Sequence, residues 1–270
     1  MAGMTLQAVT SHETFNARLL ELAKSLDDQE WQAPSACAGW RVQDVIAHMA
    51  VGARSLFDPI PLPESHIEPP TNRERQHDMH VELRHDWSPA QVLEEFETYG
   101  AKRLERLREL QEEPEASSEI ALGELGTYPK HTLANAYAFD YYCHLYHDIC
   151  GPLGPVKREL PDVTHEEIYP VVQWMIWGLP QMQGPELDAS LFAPLTLELT
   201  GPGSSTWTIS RSGDSGGLVV DESGGGEVVV TSSATDFVSW GTARTPWYDA
   251  CTVEGDRLVA TAFLSTLNIV

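Results

Sequence analysis

The stretch Trp40-Arg-Val-Gln-Asp-Val-Ile-Ala-His48 carries one half of the pattern that decides the fold, and Asp140-Tyr-Tyr-Cys-His144 carries the other half. In the second stretch, an aspartate and a histidine four residues apart would leave the same face of a helix, one turn apart. In the first stretch, His48 follows apolar residues with helical spacing. Two histidines and one carboxylate leave a coordination position open, which is typical of catalytic metal sites. The spacing therefore makes His48, Asp140 and His144 candidate ligands of one divalent metal ion.

Other residues on the same predicted helix compete for this role. His144 and Asp148 are also four residues apart, and His147 lies close to the same face. Asp140 and His147 cannot bind one ion together, because seven residues span about 10 Å along a helix. By spacing alone, a metal site stands beside a simpler interpretation, in which the histidine belongs to the core and Asp140 is solvated.

The run Trp31-Gln-Ala-Pro-Ser-Ala-Cys-Ala-Gly39-Trp40-Arg-Val-Gln-Asp44-Val-Ile-Ala-His48-Met49 resembles a helix junction of mycothiol-dependent maleylpyruvate isomerase-type proteins. Those proteins are DinB-like four-helix bundles that hold a divalent metal, usually zinc. Their ligands are a histidine from the second helix and a Glu-x-x-x-His pair from the last. Here the pair is Asp140-x-x-x-His144, so a shorter side chain of the same charge replaces the usual glutamate. The resemblance covers nearly the whole chain and implies that His48, Asp140 and His144 are the metal ligands.

Four other residues are candidates for roles in the site. With the metal pair assigned, His147 becomes a candidate catalytic residue and Asp148 a candidate cofactor-binding residue, either facing the substrate or supporting the ligands. Asn72, beside a loop that could line the mouth of the pocket, is a second candidate for cofactor binding. Arg244 matches a position in the family's second domain that is suited to anchoring a substrate carboxylate, since a guanidinium binds a carboxylate through two parallel hydrogen bonds. The simpler interpretation of His147 and Arg244 is that both are surface residues.

Helical periodicity and helix-start signals predict four main helices in residues 1–155. Ser88 and Pro89 are typical of a helix cap and first position, and Gly151-Pro152 is typical of a helix end. The predicted helices cover residues 15–26, 42–57, 89–110 and 129–150, with a polar helix at 72–84 after a proline-rich loop at 58–70. Four helices with a long crossover are typical of a bundle that holds a site in its core.

Charged residues near the candidate site give two further predictions. Asp44 is expected to cap the helix that carries His48, because a carboxylate in the first turn accepts hydrogen bonds from backbone N–H groups that lack a partner within the helix. A cluster of histidines and arginines after the proline-rich loop is expected to be charged helix surface, flanking a loop that could line the pocket mouth. The cluster comprises Arg73, Arg75, His77, His80, Arg84 and His85.

The pattern changes after Pro161. A tryptophan-rich helix at 166–179 precedes four strands at 195–201, 207–211, 217–221 and 227–231, which alternate or cluster β-formers between glycine-rich turns. A helix at 233–241, a turn at 253–256 and a closing helix at 258–267 complete this half, which resembles the sterol-carrier-like module of the family. The predicted fold class is therefore α+β, with a DinB-like four-helix bundle at 1–155 and a small α+β sterol-carrier-like domain at 162–270.

The chain is strongly acidic, with a formal net charge of −23 over 270 residues. Such a field repels phosphate backbones and anionic membrane surfaces, so neither nucleic acid nor a membrane is an expected partner. No stretch has the pattern of a signal peptide or the length of an apolar membrane span. The cysteines lack CxxC spacing, which predicts reduced thiols in a cytoplasmic protein. They are Cys37, Cys143, Cys150 and Cys251.

Two classes of function are compatible with these observations. The resemblance implies an enzyme in which Zn²⁺ or another divalent metal activates mycothiol, whose thiolate adds to a small electrophile. The outcome would be cis–trans isomerisation, as for maleylpyruvate, or S-transfer to a natural-product intermediate. The alternative is a non-catalytic carrier of an apolar ligand, motivated by the tryptophan-rich helix. In both cases the partners are small molecules, and the protein is expected to be a monomer or a homodimer.

Overall fold

The computed structural model describes residues 5–61, 73–213 and 216–269. The chain forms two compact units. The first runs to Glu124 and resumes with Tyr128–Pro161, and the second comprises Leu125–Thr127 and the chain from Asp162 onward. Within the described residues, no helix is both long and apolar enough to cross a membrane. All four cysteines are free thiols, as predicted.

Four long helices dominate the first unit. α3 packs against α5, and α1 packs against both α5 and α6, while α3 and α6 are not closely packed in the described part of the chain. Apolar and aromatic side chains fill the interior, among them Phe15, Leu19, Ile46, Phe96, Leu107 and Tyr141. The helices are α1 (Leu6–Ser25), α2 (Asp28–Gln32), α3 (Val42–Arg54), α4 (Arg73–Glu82), α5 (Pro89–Glu109) and α6 (Leu133–Cys143).

Local capping explains where these helices begin. Ser88 accepts a hydrogen bond from the backbone of Gln91, and Pro89 occupies the first turn of α5, as predicted. Asp44 accepts a hydrogen bond at 2.9 Å from the backbone N–H of Arg41. The prediction that Asp44 caps α3 is therefore confirmed, and the same carboxylate also binds the Arg41 guanidinium.

Several boundaries differ from the prediction. α1 begins at Leu6 rather than at residue 15, because its first turns bury small and polar residues such as Ala8 and Ser11 that carry little apolar signal. α3 ends at Arg54 rather than at residue 57. The segment expected to be a linker contains a two-stranded hairpin of β1 (Glu119–Ala121) and β2 (Thr127–Pro129). The helix expected at 129–150 is a 3₁₀ turn (Lys130–Thr132), then α6, then a π-helical turn (His144–Ile149).

The second unit is built on a five-stranded mixed sheet with the strand order β5-β4-β3-β6-β7. β3 and β6 pair in parallel and the remaining neighbours are antiparallel. Helices α9 and α10 contact the sheet, and α7 packs against α9. The strands are β3 (Leu195–Thr200), β4 (Ser205–Arg211), β5 (Leu218–Asp221), β6 (Val228–Ser233) and β7 (Thr252–Glu254). The helices are α7 (His165–Gly178), α8 (Pro185–Ser190), α9 (Ala234–Gly241) and α10 (Arg257–Leu264).

The α+β class predicted from the sequence is confirmed by this arrangement of helices and a mixed sheet. The turn predicted at 253–256 is wrong in part, because Thr252–Glu254 pairs with β6 as an edge strand. The turn is confined to the residues after it, where Gly255 has a φ of 90° that favours glycine. The short helix α8 was not predicted from the sequence. The likeness of this unit to a sterol-carrier module remains a prediction.

Candidate metal centre

Three helical segments supply the candidate ligands. His48 lies midway along α3, whose neighbouring residues Ile46 and Met49 are buried and fix the rotation of the helix. Asp140 lies in the last turn of α6, and His144 is the first residue of the π-helical turn. Since α3 and α6 are not closely packed, the three side chains span the gap between these two helices.

The three side chains converge on one point. Asp140 Oδ1 lies 3.6 Å from His48 Nε2 and 3.4 Å from His144 Nε2. All three potential ligand atoms are within 4.8 Å of one another. Zinc binds imidazole nitrogen and carboxylate oxygen at about 2.0–2.2 Å, so atoms at these separations can surround one ion. The donor set therefore fits a divalent metal with a position left for an exogenous ligand.

The other nitrogen of His144 faces a second pair of groups. Its Nδ1 lies 2.9 Å from Asp148 Oδ2 and 3.6 Å from Cys37 Sγ. The loop that carries Cys37 is tied to the π-helical turn, because the backbone N–H of Ala36 donates to the carbonyl of Asp148. A hydrogen bond from Nδ1–H to Asp148 fixes the tautomer that leaves Nε2 free to bind a metal. Cys37, His144 and Asp148 also form a second group with metal-ligand spacing.

The electrostatics of the triad follow from these contacts. Burial opposes ionisation of Asp140, but hydrogen bonds from His144 and His48 prevail and hold the pKa of Asp140 well below its usual range. Burial likewise disfavours a charged His144, but its bonds to Asp140, Asp148 and Cys37 raise its pKa well above the usual value. Without a metal, Asp140 is thus an anion and His144 a cation. A metal ion must displace the His144 proton, so its binding releases a proton.

The surroundings of His48 contain groups that the sequence pattern did not identify. The rings of His77 and Trp40 lie 4.6 Å and 5.2 Å from the His48 ring, centroid to centroid. Trp40 Nε1 donates to Asp78 Oδ1 at 3.1 Å, which ties α4 to the loop before α3. His48 Nδ1 is buried and has no hydrogen-bond partner among the described residues. α4 therefore borders the triad.

A comparison with known proteins identifies the family. Residues 12–146, half of the 270-residue chain, match the family described as the mycothiol maleylpyruvate isomerase N-terminal domain. The chain belongs to this family. The matched segment contains all three residues of the triad.

Solved structures give a consistent picture of the fold of this family member. A crystal structure of the mycothiol-dependent maleylpyruvate isomerase aligns with a TM-score of 0.57 at 17% sequence identity. A crystal structure of a mutant of that isomerase aligns with a TM-score of 0.56 at 18% identity. In both cases the alignment covers 92% of each chain. No curated protein gives a significant match.

The remaining predicted site residues of this family member lie in different places. Asp148 is buried directly behind His144. His147 is half-buried, contacts the ring of Tyr142 edge-on at 5.3 Å between centroids, and belongs to neither group with metal-ligand spacing. Arg244 is half-exposed in the second unit, after α9. Asn72 lies outside the described residues.

One prediction about the cluster after the proline-rich loop is wrong. Arg84 was expected on a charged surface, but it is 2% exposed. Its guanidinium binds both carboxylate oxygens of Glu95, at 2.5 Å and 2.7 Å, and Glu95 also accepts a hydrogen bond from Arg54 at 2.9 Å. The partner lies on α5, and the sequence around Arg84 cannot reveal it. His77 also departs from the surface prediction, because its ring lies against His48.

Proposed function

We propose that this protein is a metal-dependent enzyme that uses mycothiol as a thiol cofactor. The observation that carries the proposal is the convergence of His48, Asp140 and His144 in a chain of the mycothiol maleylpyruvate isomerase family. A pure carrier would have no use for a three-ligand site with an open position. The tryptophan that motivated a carrier also has a structural role, since Trp174 is 3% exposed in the core of the second unit.

His48 Nε2, Asp140 Oδ1 and His144 Nε2 would hold the divalent metal, with Zn²⁺ the ion that this donor set suits best. When bound, such an ion lowers the pKa of a coordinated thiol, so that the cofactor is present as the nucleophilic thiolate at neutral pH. Asp148 would hold the His144 ring in the ligating tautomer. Asp140 would keep its negative charge at the metal, because its pKa is far below neutrality.

The substrate would be a small electrophile with a polarised double bond. The thiol cofactor would supply a nucleophile that adds to one carbon while the electron pair of the double bond moves onto the conjugated carbonyl as an enolate. The carbon–carbon bond could then rotate, and departure of the thiolate would restore the double bond as the other isomer. Protonation of the enolate with the thiol retained would instead give S-transfer. The family description favours an isomerase of the maleylpyruvate type, whose substrate carries carboxylates.

The decisive experiment measures metal content and activity together. Purified protein is analysed for metals and then assayed with mycothiol and maleylpyruvate, followed by a panel of electrophiles. We expect about one zinc per chain, with activity that needs both metal and thiol. His48→Ala serves as the matched inactive control. If the protein is metal-free, inactive and binds apolar ligands, the enzyme hypothesis is wrong and the carrier hypothesis is favoured.

Arg244 is proposed as the anchor for a substrate carboxylate. Arg244→Ala should lower kcat/KM by the factor that corresponds to a loss of about 2 kcal/mol of transition-state stabilisation, as expected for one lost charge-assisted hydrogen bond. Metal content should be unchanged. Arg211→Ala, an exposed arginine on β4 of the same unit, is the matched control. Unchanged kinetics in Arg244→Ala would exclude the anchor and favour S-transfer to neutral electrophiles. His147 and Asn72 remain proposed as a catalytic and a cofactor-binding residue, and alanine variants of each test them in the same assay.

A further inference from the structure

The bundle contains a fully buried arginine with no acidic partner in the described part of the chain. Arg103, on α5, is 0% exposed. Its guanidinium carbon lies 4.6 Å from the ring centroid of Tyr137 and 4.7 Å from that of Tyr141. It donates to the carbonyl of Met49 at 3.3 Å and to the hydroxyl of Tyr141, while its Nε has no partner among the described residues.

The groups around Arg103 do not offset its charge. The two tyrosines are neutral phenols at physiological pH. The nearby His12 is fully buried, and burial together with the charge of Arg103 lowers its pKa well below the usual value. Burying an ion without a partner costs stability, and an apolar replacement is often neutral or stabilising. Arg84 in the same bundle shows the usual solution, a bidentate bond to Glu95. The burial of the Arg103 charge is therefore not explained by the stability of the fold.

The position of Arg103 relative to the triad indicates a functional reason for its burial. Gly52 follows His48 by one turn on α3, and Tyr137 precedes Asp140 by about one turn on α6, so both lie along the gap between the two helices. Gly52, Tyr137 and Asp140 are all partly exposed. A Cβ atom added to Gly52 would lie 3.9 Å from Arg103 Nη1 and 3.9 Å from Tyr137 Cε1. The guanidinium thus lies close beneath Gly52, whose carbonyl accepts a hydrogen bond from the Tyr137 hydroxyl at 3.4 Å.

The charges of this region suit an anion. Before a thiolate binds, the negative charges of Asp140 and Asp148 offset those of a divalent ion, and Arg103 leaves one net positive charge in a chain whose formal charge is −23. One helical turn along α3 separates His48 from Gly52, which is about 5.4 Å. A small electrophile whose reacting carbon lies beside a thiolate at the open metal position can therefore place a carboxylate near Gly52.

We infer that the groove between α3 and α6, from the triad to Gly52, binds a carboxylate of the electrophilic substrate above the buried guanidinium of Arg103. The inference rests on the proposed function for the identity of the ligand as an electrophile. Arg103 is a positioning residue: it attracts and orients the carboxylate through its charge, beneath Gly52 and beside Tyr137. Removing it should affect binding of the electrophile and leave binding of the thiol unchanged.

The test measures binding of an unreactive dicarboxylate, succinate, by titration calorimetry on the metal-loaded and the metal-free protein. Arg103→Met is expected to raise the Kd of succinate at least tenfold, with a Tm no lower than that of the wild type. Arg54→Met is the matched control, because Arg54 lies two residues from Gly52 on α3 but already pairs with Glu95 and Asp58. It should leave the Kd unchanged.

Gly52→Ala gives a second measurement that does not disturb the core. The added methyl group fits at ordinary van der Waals distances and should raise the succinate Kd severalfold by holding the carboxylate away from Arg103. In the turnover assay, both variants should raise KM for a carboxylate electrophile and leave KM for its ester and for mycothiol unchanged. An unchanged succinate Kd in Gly52→Ala and in a folded Arg103→Met would overturn the inference even if the enzyme proves to be a metal- and thiol-dependent isomerase. Loss of activity by all electrophiles with normal succinate binding would instead count against the proposed function.

Discussion

The two sides of the His144 imidazole carry the same residue type in different settings. Asp140 precedes His144 by four residues and faces Nε2, whereas Asp148 follows it by four residues and faces Nδ1. The Asp140 side chain is 34% exposed and shares its side of the ring with His48, whereas the Asp148 side chain is 4% exposed and shares the other side with the partly exposed Cys37. The carboxylate on the Nε2 side is therefore the one that an exogenous ligand can reach. Burial and the neighbouring groups assign the roles of the two aspartates, and their spacing in the sequence does not.

The largest expected effect follows from removing a ligand on the open side. His144→Ala should retain less than about a tenth of the wild-type metal content, and His48→Ala nearly as little, because each removes one of three ligands. The helices should persist in circular dichroism, since the bundle core does not include the ion. His85→Ala, which removes a histidine outside both groups with metal-ligand spacing, is the control for elemental analysis. Full metal occupancy in both ligand variants would remove the triad as the site.

The next effect compares the two aspartates directly. Asp140→Asn removes a charged ligand and should abolish tight metal binding. Asp148→Asn removes only the acceptor behind His144 and should weaken metal affinity by about 10–100-fold, as for other groups that orient a ligand. Competition with a chelator measures both constants on one scale. A greater loss in Asp148→Asn than in Asp140→Asn would mean that the ion lies on the Nδ1 side.

Lengthening the exposed carboxylate should have a smaller effect. Asp140→Glu introduces the residue expected from the family pattern and keeps the charge, so metal content should remain near that of the wild type with at least partial activity. The extra methylene group must fit where Asp140 Oδ1 now lies 3.4 Å from His144 Nε2, so a modest shift of the ion is expected. Elemental analysis and kcat/KM are the measurements. Loss of metal in this variant would show that the gap between α3 and α6 is shaped specifically for the shorter side chain.

The smallest effect is expected from Cys37→Ser. Nδ1 of His144 already has Asp148 at 2.9 Å, and the Cys37 sulfur lies farther away at 3.6 Å. The change in metal affinity should stay within about 0.5 kcal/mol, because only a weak hydrogen bond is exchanged. A cobalt-loaded protein offers a spectroscopic check, since direct thiolate ligation adds a charge-transfer band. Such a band in the wild type, absent in Cys37→Ser and present without added thiol, would contradict the division between the two sides.

Helix geometry made Asp140 and His144 candidate ligands, and the family resemblance selected Asp140 over Asp148, which has the same spacing from His144. Residues four apart on one helix must share a face, so Asp140 and His144 converge wherever α6 lies. His48 became the third candidate because its apolar neighbours gave α3 a clear buried face. The α+β class followed from periodicity in the same way.

Features that depend on distant partners could not be derived. Cys37 reaches His144 across more than a hundred residues, and His77 reaches His48 from α4. Arginine is rarely buried, so no pattern within one helix predicts the interior positions of Arg84 and Arg103. The π-helical turn was also missed, because its sequence carries no mark that distinguishes it from a continued α-helix.

That turn acts as a change of phase in the helix. In a π-helical turn each backbone hydrogen bond spans one residue more than in an α-helix, so it accommodates one additional residue. His144 stands at the change, with Asp140 before it and Asp148 after it. Deleting a single residue from Leu145–His147 would restore ordinary helical winding and place Asp148 three residues after His144, which is still the same face of the helix. The π-helical turn thus takes up one residue while Asp140 and Asp148 both remain next to the His144 ring.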